Sequence, residues 1–144
     1  MSVKDNLDQV FSHYVRQLYA SHAGRVRCST CVVSRHWSEM TCGHFMKRGF
    51  LMLRWVVENA APQCGVCNGH EEAQRPARIE AKMAKWLDAR YGEGTAARMR
   101  EIFGQATEGQ GSMSEDEMRL LLRAFREKMR AEGMALPGDC VPLP

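Results

Sequence analysis

Apolar residues at helical spacing open the chain. Leu7, Val10, Phe11, Tyr14, Val15 and Leu18 recur at i, i+3 and i+4 while Asp8, Gln9, His13 and Arg16 fall off that stripe, so residues 3–20 read as an amphipathic helix. Ser2 stands where a cap belongs. Over residues 22–68 the helical period disappears and β-formers and cysteines replace it. Two apolar runs there, Met40–Met46 and Phe50–Val57, are joined by Lys47-Arg48-Gly49 and predict a hairpin. The helical period returns with Ile79, Met83, Trp86, Leu87 and Tyr91, with Pro76 suited to the first turn and Gly92 to the stop. A short helix is expected over 95–103 and a flexible linker over 104–113. Ser114-Glu115-Asp116-Glu117 is a capping box ahead of a last helix carrying Met118, Leu121, Leu122, Phe125 and Met129 on one face. The pattern predicts an α+β protein in four parts: an N-terminal helix over 1–22, a core over 23–92, a C-terminal helical appendage over 93–133 suited to dimerisation, and a loose tail over 134–144.

Composition narrows the classes. Of 144 residues 44% are hydrophobic and 26% charged, a globular balance that argues against wholesale disorder. No apolar run reaches the ~18–20 residues of a membrane span, and the first residues lack the apolar core of a secretory signal, so a cytoplasmic location is expected. The net charge of +3 is small, but its placement is uneven. Between residues 21 and 55, Arg25, Arg27, Arg35, Lys47, Arg48 and Arg54 face Glu39 alone. Such a patch suits salt-sensitive, sequence-independent contact with phosphates.

Cysteine supplies the strongest chemistry. Cys28/Cys31 and Cys64/Cys67 form two Cys-x-x-Cys pairs with 32 residues between them. Four thiolates from two tight turns satisfy tetrahedral zinc, and a closed shell of four cysteines is structural because it leaves no position for substrate. Disulfides and thioredoxin-like redox chemistry are the alternatives. A reducing compartment disfavours the first, and the lack of a single motif on a βαβ unit disfavours the second. Cys42 and Cys140 have no partner at ligand spacing and read as a small buried hydrophobe and a tail thiol.

Inside the cysteine frame, Gly43-His44-Phe45 is followed after 14 residues by Asn59, and after 8 more by Asn68. This resembles the HNH, or His-Me finger, nucleases in their His-Asn-Asn form. Cys28-Ser29-Thr30-Cys31, Trp37, Leu53-Arg54-Trp55, Glu58-Asn59, Pro62-Gln63-Cys64 and Cys67-Asn68-Gly69-His70, with the flanking helices, are similar to the phage recombination nucleases called NinG or Rap, over roughly residues 5–132.

The resemblance implies a zinc-stapled ββα-metal core and a metal-dependent DNA endonuclease that cleaves Holliday junctions and D-loops. It implies His44 as general base, Asn59 across the hairpin orienting its ring, and Asn68 as ligand to a catalytic Mg²⁺ or Mn²⁺, with His70 beside it. It also implies a homodimer for two symmetric nicks, a recombinase as partner, and a phage or prophage origin in a bacterial host. Relatives commonly carry an aspartate before the histidine as a second metal ligand. Gly43 stands there instead, and Glu71, Glu72, Gln74 and His70 are the residues able to make up the difference. Trp37 and Trp55 are expected mainly to pack around the zinc and hairpin, with stacking on unpaired bases as the alternative. Two other readings stay open: a zinc-stabilised DNA-binding module without catalysis, and a general HNH nuclease without junction preference.

Overall fold

The computed structural model describes residues 1–106 and 112–139. Cys140, the last prolines and the middle of the expected 104–113 linker lie outside the described residues. Helix α1 (Val3–Leu18) starts at Ser2, whose hydroxyl accepts the Asp5 N–H, and it buries Leu7, Val10, Phe11, Tyr14 and Val15. Two antiparallel two-stranded sheets follow. The first pairs β1 (Arg25–Arg27) with β2 (Ser34–His36). The second pairs β3 (Thr41–His44) with β4 (Ala60–Gln63), aligning Thr41 with Gln63 and His44 with Ala60.

The second sheet corrects the predicted hairpin. Residues 50–57 do not form its second strand: Leu51–Arg54 make a short helix, α2, and the partner strand begins at Ala60. Leu, Met and Arg are good helix formers, whereas Ala60-Ala61-Pro62-Gln63 has weak strand propensity. Tertiary packing decides the outcome, because β4 is buried along its whole length against β3, with the Gln63 side chain lying beside Gly43. Asn59 closes the excursion. Its buried side chain accepts the Met46 N–H at 2.8 Å and donates to the carbonyls of Met46 (3.2 Å) and Leu53 (3.0 Å).

After Cys67 the chain makes a wide helical turn over Cys67–Glu71, the three-residue α3 (Glu72–Gln74), and α4 (Pro76–Tyr91). Helix α5 (Thr95–Gln105) folds back on α4, with the Asp88 carboxylate accepting the Ala96 N–H. Helix α6 (Glu115–Ala131) is capped by Ser114, as the capping box predicts.

Three apolar clusters hold these parts. The first joins α1 to α6, with Phe125 edge-on to Phe11 at 5.5 Å and Trp55 and Ala60 beneath. The second joins α4, α5 and Leu53 to Phe45, Met46 and Ala61. The third is small and lies around Cys28, Cys64 and Cys67 with Val26, Trp37, Met40 and Ile79. The apolar face of α6 that was expected to serve a dimer is thus covered by α1 of the same chain. Residues 134–139 are docked, not loose: Gln17 donates to the Ala135 carbonyl at 2.7 Å and accepts its N–H at 2.9 Å. Among the described residues no helix is long and apolar enough to cross a membrane.

Candidate functional site

The two Cys-x-x-Cys turns converge. One sulfur from each of Cys28, Cys31, Cys64 and Cys67 lies within 4.8 Å of all the others. Cys31 Sγ and Cys64 Sγ are 3.7 Å apart, far beyond a disulfide. They match the edge of about 3.8 Å that a tetrahedron with Zn–S arms of about 2.3 Å requires. Backbone N–H groups point at the sulfurs, from Thr30 and Cys64 to Cys28 and from Val33 to Cys31. Burial raises the Cys28 thiol, but the Thr30 hydroxyl and these N–H groups outweigh it and bring the thiol down to about 7. Burial pushes Cys67 the other way, up to about 12. Such enclosed sulfur is what a divalent cation neutralises on binding. The quartet can hold a structural metal ion such as zinc.

His44 ends β3, half-buried, with its ring stacked on Phe11 at a centroid distance of 6.0 Å. Its Nε2 is 2.8 Å from the Arg54 carbonyl. A carbonyl only accepts, so this bond assigns the proton to Nε2 and leaves the lone pair on Nδ1. Burial lowers the ring's pKa, the carbonyl bond opposes this, and the charges of Arg48 and Arg54 add to the lowering. Above that depressed value the ring is neutral and basic.

The orienting group therefore differs from the one expected. Asn59 makes no hydrogen bond to the ring; it holds the Leu53 carbonyl, one residue before the carbonyl that holds the ring. It acts as a positioning residue for the 46–59 excursion. Arg54 is also placed differently from a DNA-facing cation. It is buried, and its Nε and Nη2 grip Asp8 of α1 at 2.9 and 2.6 Å. Asp8 also accepts from Arg48 at 2.8 Å and from Trp55 Nε1 at 2.9 Å. Burial opposes the ionised carboxylate, but these bonds prevail and hold its pKa at about 2. Asp8 was missed in the sequence because an acid off an apolar stripe reads as solvated surface. Only the three donors gathered around it give it a role.

His44, Lys47, Arg48 and Asn68 line one cleft of about 840 Å³, together with Asp8, Thr41 and Glu72. Asn68 Nδ2 donates to Thr41 Oγ1 at 3.1 Å, which leaves the amide oxygen as its acceptor end. Glu72 carries a raised pKa from desolvation and from the charge of Glu80. Glu71 is paired with Arg75, and His70 is exposed outside the lining of the cleft. Asn68 and Glu72 are thus the oxygen donors nearest the expected role of cation ligands, a donor set that suits a hard divalent ion. Cys42 lines the same cleft, its thiol pushed up to about 12 by burial, and lies outside the cysteine quartet.

Gly43 has a steric reason. A Cβ there would stand 1.9 Å from Gln63 Oε1 and 2.6 Å from its Cδ. Gln63 is buried, and its Nε2 donates to Thr30 Oγ1 at 3.0 Å. The side chain of β4 fills the space that an aspartate at position 43 would need.

The remaining predicted residues separate from the cleft. Arg25, Arg27 and Arg35 are exposed on β1 and β2 beside the cysteine quartet. Trp37 and Trp55 are buried, at 6% and 4% exposure, so neither offers a free ring face for a base. No family model matches this sequence, and no curated protein and no solved structure matches it either.

Proposed function

We propose that this chain is a metal-dependent DNA endonuclease of the HNH type, acting on branched recombination intermediates such as Holliday junctions and D-loops. The observation that carries the reading is His44: its Nε2 is engaged by the Arg54 carbonyl, and it shares a cleft with Asn68 and Glu72 beside a cysteine quartet. In this role His44 Nδ1 accepts a proton from the water that attacks phosphorus, and the bond to the 3′-oxygen breaks. Such general-base help is typically worth ~10²–10⁴-fold. Burial lowers the ring's pKa and so favours the neutral form this requires. Asn68 and Glu72 would hold Mg²⁺ or Mn²⁺, with exposed His70 as a further candidate from the neighbouring turn. The ion supplies Lewis-acid stabilisation of phosphoryl charge. Lys47 and Arg48 at the cleft mouth neutralise the phosphates alongside.

Two symmetric nicks call for a two-fold dimer, and a recombinase partner fits the same task. Since α1 and α6 cover each other, a dimer would form through other surfaces. The competing reading, a DNA-binding module without catalysis, draws its support from Gln63 occupying the space beside Gly43.

Incubation of four-way junction and linear duplex with Mg²⁺ or Mn²⁺ separates the readings. The expected result is junction cutting by the wild type and none by His44→Ala, with zinc content and junction affinity nearly unchanged. Cutting by neither protein favours the binding module. Equal cutting of junction and duplex favours a nuclease without junction preference, and cutting by both proteins removes His44 from its role.

A further inference from the structure

Helix α4 carries a row of cations that the cleft does not use. At 3.6 residues per turn, Arg78, Lys82 and Lys85 fall within about 60° of arc. The buried Ile79, Met83 and Leu87 lie on an adjoining face. Both acids of the helix turn elsewhere, Glu80 to Arg100 and Asp88 to the start of α5. Lys82 reaches the cysteine turn, with Nζ 3.4 Å from the Thr30 carbonyl. It thereby joins two grooves, one shared with Arg27, Lys85 and Arg90, the other with Arg35 and Arg78.

All six of these cations are exposed. Among the described residues none has a carboxylate within ion-pair distance; the pairs in this part of the fold are Arg75 with Glu71 and Arg100 with Glu80. From Arg78 to Lys85 the row runs about 10 Å at 1.5 Å per residue, the length of roughly three base-pair steps, while Arg90 lies off it with its guanidinium over the Tyr19 and Trp86 rings. A run of unpaired like charges on one ordered helix costs self-repulsion, and a polyanion relieves it.

We propose that the α4 row and the cysteine turn form a track for the phosphate backbone of a DNA duplex arm, separate from the His44 cleft. Along the chain, the track on α4 follows the turn that carries Asn68 and the short α3 that carries Glu72. An arm lying along it would be anchored by charge without base readout, as shape-selective recognition requires. The choice of DNA rests on the nuclease reading; the track itself rests on the charges.

The test measures binding by fluorescence anisotropy across a salt series, without added divalent ion, for wild type and Arg78→Ala/Lys82→Ala/Lys85→Ala. A matched control, Arg123→Ala/Arg126→Ala/Arg130→Ala, removes the same charge from α6. The α4 variant is expected to bind duplex and junction at least ~10-fold more weakly, with the log–log salt slope smaller by about 2–3. The control and the zinc content should remain as in wild type. Wild-type affinity and slope in the α4 variant overturn the track while leaving His44-dependent cutting intact. Equal weakening by both triple variants also overturns it, since overall charge then suffices. Tighter binding of duplex RNA than of duplex DNA overturns the assignment of the partner. A wild type that binds DNA with this salt slope but never cuts it sinks the nuclease reading alone.

Discussion

The α1–α6 lobe and the cysteine knuckle are held together by different physics, and the candidate site lies between them. The lobe interlocks two long helices through Leu7, Phe11, Phe125 and Met129, all nearly free of solvent. Burial of side chains of this size contributes about 1.5–3 kcal/mol each, so the lobe needs no cross-link. The knuckle has strands of three residues, and three of its seven buried core residues are cysteines. So little apolar area cannot order β1, β2 and two tight turns. A metal ion held by the four thiolates would supply what the core lacks. Strand β3 touches both: His44 stacks on Phe11 of the lobe, while Thr41 bonds to Asn68 on the turn after the knuckle. The cleft is rigid only if both supports are present.

The largest effect expected is the removal of metal from the knuckle. Structural zinc sites contribute apparent binding energies of about 10–16 kcal/mol, so Cys64→Ser or a strong chelator should destabilise the fold by several kcal/mol. Thermal melts with and without chelator read this directly, with metal analysis showing loss of zinc from the variant. Met129→Ala, inside the lobe, should lower the melting temperature through a cavity of about 2–5 kcal/mol yet keep its zinc. An identical melt with and without chelator would break the comparison, because the knuckle would then stand without its metal.

How much could be read beforehand divides along the same line. The lobe helices were legible because an apolar stripe at 3.6 spacing and a Ser cap are local signals, and Ser2 and Ser114 both accept the expected N–H. The quartet was legible because ligand spacing is local within each pair. Strand β4 was not. Ala60-Ala61-Pro62-Gln63 has no strand signature, and what selects it is burial against β3, with Ala60 and Ala61 entering the two helical clusters. The partnership of Asp8 with Arg54, Arg48 and Trp55 spans 40 or more positions, and no periodicity encodes it. The neighbour of His44 was misassigned for a related reason. A backbone carbonyl has no letter in a sequence, so the ring's partner at Arg54 is invisible there.

Asp8 is the electrostatic hinge of the lobe against the 46–59 excursion, and its effect ranks second. Asp8→Asn leaves the buried Arg54 guanidinium without its counter-charge, at a cost of about 3 kcal/mol near neutral pH. The folded pKa, about 2, lies below the ordinary 3.8. The carboxylate's contribution is therefore complete above about pH 4 and disappears as pH falls towards 2. Denaturant titrations at several pH values should show the gap between wild type and Asp8→Asn constant from pH 7 to about 4 and closing below. Any acid loss of zinc would affect both proteins alike, so their difference isolates the carboxylate. A gap that widens in acid would overturn the assignment.

The smallest effect is the most discriminating, because Gly43 sits where the two regions meet. An added Cβ must displace Gln63, whose Nε2 is hydrogen-bonded to Thr30 in the cysteine turn. Overpacking of this kind costs about 1–3 kcal/mol. Gly43→Ala should therefore lower the melting temperature by less than metal removal does. Unlike Met129→Ala, it should also weaken zinc retention, because the displaced amide releases Thr30 and the N–H and hydroxyl that Thr30 directs at Cys28. Competition with a metallochromic chelator measures the zinc half of this effect. If Gly43→Ala keeps wild-type zinc affinity while losing stability, Gln63 merely fills space, and β3 and the knuckle are neighbours without communication.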